Sequence, residues 1–214
     1  MLPDILFVAL LLGGTALLSW PLGRYMRWAM DPVGRRDGFT KLFQDIAGPQ
    51  ACSQQGWKSY ALTMLAFNAI MFAAVFALLG LQQFLPLNPD GMGPVSLDLL
   101  FNTAASFTTN TNLQHYSGEN TFSYLSQLGG LMWLQFVSAA TGIAVLTAIA
   151  RALAGREAMG NFLVDVQRAA FLVLLPPAFV VAVLLVGGGV PMTLDGAVHA
   201  TTLEGVAQSI ARGP

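Results

Sequence analysis

The fold is decided by residues 97–112, which read LDLLFNTAASFTTNTN. A short apolar run with the character of a helix ends there in a cluster of Thr and Asn side chains. The segment lies between two stretches that are each long enough to cross a bilayer. A polar hairpin that crosses only part of a membrane is the kind of element that an ion pathway requires.

The composition places the chain among integral membrane proteins. Of its 214 residues, 55% are hydrophobic and 10% are charged, and the mean hydropathy is +0.61, which excludes an ordinary soluble domain. Four stretches lack Asp, Glu, Lys and Arg, and each reaches the ~20 residues that a helix needs to cross ~30 Å of hydrocarbon. These stretches are residues 5–23, 59–89, 120–150 and 169–194. They predict an all-α integral membrane fold with transmembrane helices near 4–20, 60–84, 126–150 and 168–188.

The basic residues indicate how residues 97–112 are placed. If this segment turns back within the membrane, nine of the ten basic residues fall on one side and Arg212 falls on the other. The nine are Arg24, Arg27, Arg35, Arg36, Lys41, Lys58, Arg151, Arg156 and Arg168. This asymmetry is typical of the positive-inside rule, and a crossing segment would largely remove it. We therefore predict an amino terminus outside the cell, a re-entrant pore helix at 97–108 and a filter loop at 108–112.

The tip of the predicted hairpin has the chemistry of a cation site. Its helix would rise ~18–20 Å, about half to two-thirds of the hydrocarbon core, with its negative carboxyl end pointing inward. Backbone carbonyl oxygens there can replace the hydration shell of a monovalent cation. No carboxylate lies between Leu99 and Gly118, which favours a potassium-type filter over an acidic calcium-type ring. An external loop with a buried apolar shoulder is the alternative that spacing alone leaves open.

A family resemblance adds to this interpretation. Residues 101–131, FNTAASFTTNTNLQHYSGENTFSYLSQLGGL, resemble the first pore repeat of the A subunit of the Kdp potassium-transporting P-type ATPase. The segments WPLGRYM, LLGLQQFLPLNP and SAATGIAVLTAIARA are also similar to that family, so that the resemblance covers nearly all of the chain. Its most restrictive motif is TNTN, followed two residues later by Gln and then by YSGE.

The resemblance implies a fold and a function. It implies one unit like the helix–pore loop–helix repeat of potassium channels, within a non-catalytic subunit that binds extracellular potassium and passes it toward the cytoplasm. The implied filter residues are Thr108, Thr109, Asn110, Thr111 and Asn112, with Gln114 at the extracellular mouth and potassium held mainly by the carbonyls of 109–112. The implied partners are an ATP-hydrolysing catalytic subunit, an accessory subunit and membrane lipids in a bacterial inner membrane.

The chain departs from this family in one respect. The family's A subunit is similar to four fused pore-loop units with extra helices, whereas this sequence holds one pore loop, so we expect a truncated potassium-pump subunit. A homotetrameric channel-like protein and a non-conducting membrane fragment are the alternatives. Against the homotetramer, Thr108 to Gln114 contains no Gly, which TVGYG filters use where the strand leaves ordinary L-residue geometry. Asn can also visit left-handed conformations, so the objection is not decisive.

The sequence as a whole predicts a single membrane domain, 1–214, with no catalytic site. It comprises an extra helix at 4–20, a cytoplasmic loop at 21–58, the repeat at 60–150, the following helix at 168–188 and an external tail at 189–214. Leu203, Val206 and Ile210 in the tail show helical spacing. There is no GxxxxGK[ST] phosphate loop, so we expect no ATP site, and we expect no nucleic-acid partner.

Two further features carry expectations. Pro176 and Pro177 lie inside the fourth helix and should kink it, because neither nitrogen carries a hydrogen. Arg35 and Arg36 lie among basic and apolar residues of the cytoplasmic loop, which makes them candidates for docking a partner subunit.

Overall fold

The computed structural model describes residues 2–31 and 38–213; Arg35 and Arg36, the docking candidates, lie outside the described residues. The α-helices of the described ranges are α1 (Leu2–Met30), α2 (Gly38–Ala47), α3 (Trp57–Gly80), α4 (Leu97–Thr108), α5 (Trp133–Leu153), α6 (Phe162–Arg168) and α7 (Leu175–Gly187). A π-helical turn at Ser126–Met132 leads into α5, and another at Ala169–Leu174 joins α6 to α7. Strands β1 (Val198–Thr201) and β2 (Ala207–Ile210) form an antiparallel pair.

Four helical stretches are long and apolar enough to cross a membrane, which confirms the predicted number of spans. They are Pro3–Met30, Trp57–Gly80, Ser126–Leu153 and Phe162–Gly187. Most of their large apolar side chains are exposed on the surface of the chain, as expected where lipid or further protein takes the place of water. The chain is therefore a multi-pass membrane protein.

The first helix extends beyond the predicted range of 4–20. It continues to Met30, so the connection predicted at 21–58 begins later and itself contains α2. The prediction ended the helix where Pro21 and Arg24 interrupt the apolar run. In the structure Pro21 lies inside the helix, and Ala29 and Met30 are buried against other segments. Tertiary packing of the last turns, which the local sequence does not reveal, sustains the helix.

The fourth span begins at Phe162 rather than at residue 168. The Asn161 side chain accepts a hydrogen bond from Val164 N at 3.1 Å and so caps the helix. The sequence predicts a later start because the charges of Asp165 and Arg168 interrupt the apolar run. Both are buried in α6 and hydrogen-bonded to neighbouring segments, and such partners allow charged residues to lie within a span.

The two prolines of the fourth span follow a widened helical turn. Pro176 and Pro177 stand at the start of α7, directly after the π-helical turn at Ala169–Leu174. Neither proline can donate a backbone hydrogen bond to the carbonyl of Leu172, and the Tyr25 hydroxyl of α1 donates to that carbonyl instead. The irregular turn before the two prolines is thus hydrogen-bonded to α1.

Two buried cores divide the bundle along its length. We call the end with Met30, Trp57 and Leu153 the inner end, and the opposite end, with Gly80 and Ser126, the outer end. The inner core consists of Ala29, Met30, Tyr60, Ala140, Ala144, Ala148, Phe162, Val166 and Ala169. The outer core consists of Val75, Leu79, Leu100, Phe107, Phe122, Leu131 and Leu134. Among the described residues, α4 contributes to the outer core alone, so it packs along the outer halves of α3 and α5.

A charged cluster closes the inner end. Arg151 of α5 binds the Asp165 carboxylate of α6 through two hydrogen bonds of 2.5 and 3.0 Å. Arg151 also donates to Met30 O at 2.7 Å, and Arg168 donates to Ala29 O at 2.6 Å. Two guanidinium groups therefore bind the last carbonyl groups of α1, where the helix dipole is negative.

A single buried side chain joins the two ends of the α4 segment. Gln82 is fully buried, and its Nε2 donates to Gly93 O at 2.8 Å and to Thr121 O at 3.0 Å. Its Oε1 accepts hydrogen bonds from Ser123 N (3.1 Å) and Ser126 Oγ (3.2 Å), so the amide is fully satisfied. Gly93 precedes α4 and Thr121 follows the predicted filter. The chain therefore enters and leaves this segment at the same, outer end of the bundle.

The tail predicted at 189–214 contains a β-hairpin, so the helical spacing of Leu203, Val206 and Ile210 was a wrong guide. Val198 pairs with Ile210, and Thr201 pairs with Ala207. Gly205 adopts a φ of 81° in the connecting turn, a conformation that other residues enter only with strain. A tight turn between two short strands thus overrides the weak periodicity.

Hydrogen bonds fasten this tail to the outer end of the bundle. Asp90 Oδ1 accepts a hydrogen bond from Ala197 N at 2.9 Å. Tyr124 Oη donates to Asp195 O at 2.5 Å. The tail is thus part of the folded outer end.

Candidate functional site

The helix that leads to the candidate site is amphipathic. α4 begins after Ser96 at its N-cap, and Asp98 in the first turn complements the positive end of the helix dipole. Its buried face consists of Leu100, Thr103, Ala104, Ser106 and Phe107. Their spacing of three and four residues puts these side chains on the side of α4 that packs in the outer core. The helix ends at Thr108, so the predicted filter residues follow its last turn.

The chain folds back onto the carboxyl end of α4. Thr109 N donates to Ala105 O at 2.9 Å, and Thr111 N donates to Ser106 O at 2.9 Å. Leu113 N donates to the Ser106 hydroxyl oxygen at 2.9 Å. These N–H groups thus face the helix. Those of Thr109 and Thr111 bind carbonyl groups that a helix end otherwise leaves without partners, and that of Leu113 binds a side-chain hydroxyl.

Asn110 and Asn112 adopt the left-handed backbone conformation, with φ of 57° and 51°. Asn is one of the few L-residues that enter this region at low cost. Thr109 is right-handed, with a φ of −87°, and Asn112 Nδ2 donates to Asn110 Oδ1 at 3.1 Å. These two Asn residues therefore adopt a left-handed conformation of the kind that glycine enters readily, and this weakens the objection that Thr108 to Gln114 lacks glycine.

The carbonyl groups of the predicted filter are left available. Within residues 2–31 and 38–213, no hydrogen bond ends on the carbonyl oxygens of Thr109, Asn110, Thr111 or Asn112, and all four residues are exposed. They follow the negative end of the α4 dipole. Carbonyl oxygens without protein donors are ligands that can replace the water around a monovalent cation. The arrangement can therefore bind a cation through its backbone.

The remaining predicted site residues, Thr108 and Gln114, flank this tip. The Thr108 hydroxyl is buried and has no hydrogen-bond partner in the described part of the chain. Gln114 is exposed and lines a cavity of about 420 Å³ together with Tyr116, Gln127 and Gln135. A role of Gln114 at the mouth of a pathway stays a prediction.

Sequence reasoning missed two residues that hold this region together. Ser106 accepts hydrogen bonds from the tip through its main-chain carbonyl and through its hydroxyl. A signal was present, because a Ser in the last turn of a helix with an apolar face can hydrogen-bond to the residues that follow. Gln82 gave no such signal, since its neighbour Gln83 is chemically identical and exposed.

Comparisons with known proteins match nearly the whole chain. The family model of the potassium-transporting ATPase A subunit, KdpA, matches residues 8–214. Three relatives named potassium-transporting ATPase potassium-binding subunit are 47% identical to this chain. The relative from Paramagnetospirillum magneticum matches 98% of this chain and 37% of its own length. The corresponding shares are 92% and 36% in Granulibacter bethesdensis, and 98% and 38% in Rhodospirillum centenum. The chain therefore spans less than two-fifths of the length of these relatives.

Proposed function

Because the chain belongs to the family of potassium-transporting ATPase A subunits, we propose that it supplies one potassium-binding pore loop of an ATP-driven uptake pump. Potassium from outside the cell would bind the carbonyl oxygens of Thr109, Asn110, Thr111 and Asn112 and pass toward the cytoplasm. Thr108 would lie at the base of this tip, and Gln114 would lie at its outer mouth. The chain itself would bind and conduct the ion, and another subunit would hydrolyse ATP.

One observation carries this proposal: the backbone of the tip turns its N–H groups to α4 and leaves its carbonyl groups without protein donors. A loop that only caps a helix also turns its N–H groups to the last helix carbonyls; what favours an ion site here is that four successive residues are exposed at the negative end of the α4 dipole. Gln82 adds support, because it binds the chain both before α4 and after the tip. This geometry suits a hairpin that enters from the outer side and returns to it.

The charge distribution supports an amino terminus outside the cell. Arg151 and Arg168 lie beside the end of α1, and Lys58 begins α3 at the same inner end. Arg212 belongs to the tail at the outer end, where it donates to Gly196 O at 3.1 Å. By the positive-inside rule the inner end faces the cytoplasm, in a bacterial inner membrane under this proposal.

The proposed partners follow from the names of the relatives. An ATPase subunit described as potassium-binding implies a separate subunit that hydrolyses ATP. An accessory subunit and membrane lipids would complete the surroundings of the chain. The large apolar side chains exposed on α1 and α7 are available for contacts with either.

A second candidate is a homotetrameric channel formed by four copies of this chain. The left-handed conformations of Asn110 and Asn112 support the homotetramer, because with them a filter of this sequence needs no glycine. Potassium flux through liposomes that contain this chain alone would support the homotetramer. Binding to the ATP-hydrolysing subunit without such flux would support the pump. If the chain shows neither flux nor binding, it is a non-conducting membrane fragment.

The filter is tested by adding charge at the tip of the complete pump. We expect Asn112→Asp and Gln114→Asp to alter the half-saturating potassium concentration or the preference for potassium over sodium, because each adds a negative charge close to the neutral carbonyl ligands. Asn120→Asp is the matched control, since Asn120 is exposed in the outer loop beyond the tip. Uptake kinetics of both ions that are unchanged in all three variants would contradict a filter at this position.

A further inference from the structure

We propose that Ser106 is a positioning residue for ion selection: its carbonyl and hydroxyl oxygens set the directions in which the carbonyl groups of the tip point. This inference rests on the proposed function, because it assigns the selectivity of the pore loop to one buried side chain behind it. Ser106 itself would not touch the ion.

Ser106 holds both the middle and the end of the tip. It is 6% exposed, within the buried face of α4. Its carbonyl oxygen accepts hydrogen bonds from Thr111 N at 2.9 Å and from Thr111 Oγ1 at 3.2 Å. Its hydroxyl oxygen accepts a hydrogen bond from Leu113 N at 2.9 Å. One residue therefore fixes two peptide groups of the tip.

Because the peptide bond is planar, these contacts also determine the direction of the neighbouring carbonyl groups. Thr111 N–H belongs to the same rigid peptide plane as the Asn110 carbonyl, and Leu113 N–H to the same plane as the Asn112 carbonyl. In a trans peptide the N–H and C=O groups point in opposite directions. Because Ser106 binds both N–H groups, the carbonyls of Asn110 and Asn112 point away from α4, toward the side where an ion can bind.

Another buried serine shows how unusual this arrangement is. Ser138 of α5 is also 6% exposed, and its hydroxyl donates to Leu134 O, four residues earlier, at 2.7 Å. Thr141 and Thr147 make the same type of bond within α5. Such a bond serves only the helix that carries it. The Ser106 hydroxyl instead binds a residue seven positions later, beyond the end of its helix.

The carbonyl of Ser106 cannot be removed by substitution, so the hydroxyl is the part to test. Without it, Leu113 N–H loses its acceptor, and the peptide plane between Asn112 and Leu113 can rotate. The Asn112 carbonyl would then vary in direction, and a filter discriminates between potassium and sodium through the number and arrangement of its carbonyl ligands. We therefore expect weaker discrimination, with the maximal rate of transport little changed.

The experiment compares Ser106→Ala, Ser106→Cys and Ser106→Thr in the assembled pump that contains this chain. Ala removes the acceptor, Cys keeps a similar volume with a weak acceptor, and Thr keeps the hydroxyl. For Ala and Cys we expect the preference for potassium over sodium to fall about tenfold, which corresponds to about 1.4 kcal/mol, the size of one lost buried hydrogen bond. Thr should retain most of the preference.

Ser138→Ala is the matched control, because it removes an equally buried hydroxyl that bonds only within its own helix. Unchanged selectivity in both Ser106→Ala and Ser106→Cys would overturn the inference, and so would a loss in Ala that Cys restores, since volume alone would then explain it. If Ser106→Ala does not reach the membrane, the comparison of Cys with Thr decides. If Asn112→Asp alters selectivity while the Ser106 variants do not, the filter stands and the role of Ser106 fails.

Discussion

The two ends of the bundle use polar atoms in opposite ways. At the inner end, Asp165 is buried and Arg151 is largely covered, and their charged groups bind each other and neighbouring segments. At the outer end, the tip from Thr109 to Asn112 carries no charge, is exposed, and leaves its carbonyl groups without protein donors. Polar groups satisfied by the protein fix the positions of helices, whereas polar groups left unsatisfied remain available to a ligand. The chain therefore joins an inner end held together by charged groups to an uncharged outer tip whose carbonyl groups are open to the ion proposed above.

The largest expected effect comes from breaking the inner cluster. Replacing Asp165 by Ala leaves the largely covered Arg151 without its carboxylate. Removing one partner of a buried pair typically destabilises by about 3–5 kcal/mol. The Tyr60 hydroxyl, which lies 3.1 Å from the same carboxylate, would lose a partner as well. We expect a large fall in the thermal unfolding midpoint of the detergent-solubilised chain.

Asp45→Ala controls for this prediction, because Asp45 is exposed on α2. The double variant Arg151→Met with Asp165→Leu sharpens the comparison, since replacing both members of a buried pair by apolar residues is often nearly neutral. A thermal midpoint for Asp165→Ala equal to that of Asp45→Ala would show that the inner end is not the fixed part of the bundle.

The next largest effect is expected at Gln82, the outer counterpart of the inner cluster. In Gln82→Leu the four groups bound to this amide lose their partner within the buried outer end. We expect a loss of about 2–3 kcal/mol of stability, since unsatisfied buried groups cost about 1–3 kcal/mol each and some will rearrange to bind water. The same variant should also weaken potassium uptake by the assembled pump, because both ends of the α4 segment are released.

Gln83→Leu is the control for this substitution, because Gln83 is the exposed neighbour with the same side chain. Stability that falls equally in both variants would mean that added apolar surface, rather than the buried hydrogen bonds, is responsible. Reduced stability with unchanged uptake would separate the outer anchor from the tip and so break the proposed link between them.

The sequence was sufficient for the features that depend on composition along the chain. Four apolar spans and the short helix at Leu97–Thr108 could be predicted, because apolar length and a change to Thr and Asn are local properties. The helix ends at Met30 and Phe162 could not, because they depend on burial of charges with distant partners. The Arg151 and Asp165 pair joins residues on two helices, and no local pattern reveals which charges will meet.

At the candidate site, too, local features could be predicted from the sequence and contacts between segments could not. The oxygen-rich residues at 109–112 were recognisable from their chemistry and from the family motif. The direction of their carbonyl groups depends on Ser106 and on the left-handed conformation of two Asn residues, which the sequence allows but does not require. The hairpin of the tail was missed because weak helical spacing over a few residues competes poorly with a turn at Gly205.

The smallest expected effect concerns Asp31 and Arg156, an exposed pair at the inner end with contacts of 2.8 Å. The hydrogen bond from Arg156, aided by its charge, holds the pKa of Asp31 below its ordinary value. A carboxyl whose pKa is lower when folded contributes stability above its unfolded pKa of ~3.9, and this contribution disappears as the pH falls through the lower, folded value. Because the pair is exposed, we expect at most about 0.5–1 kcal/mol.

Thermal unfolding of Asp31→Asn and the unmodified chain should therefore differ slightly at pH 7 and converge below the folded pKa, and high salt should reduce the difference at pH 7. Glu157→Gln, an exposed neighbour of Arg156, controls for removal of an acidic group. A difference as large as that of Asp165→Ala would place Asp31 in the same cooperative unit as the buried pair, and the inner end would then depend on exposed charges as much as on buried ones. A small difference that vanishes in acid would confine the strong contribution to the buried groups, which is the property that separates the inner end from the uncharged tip.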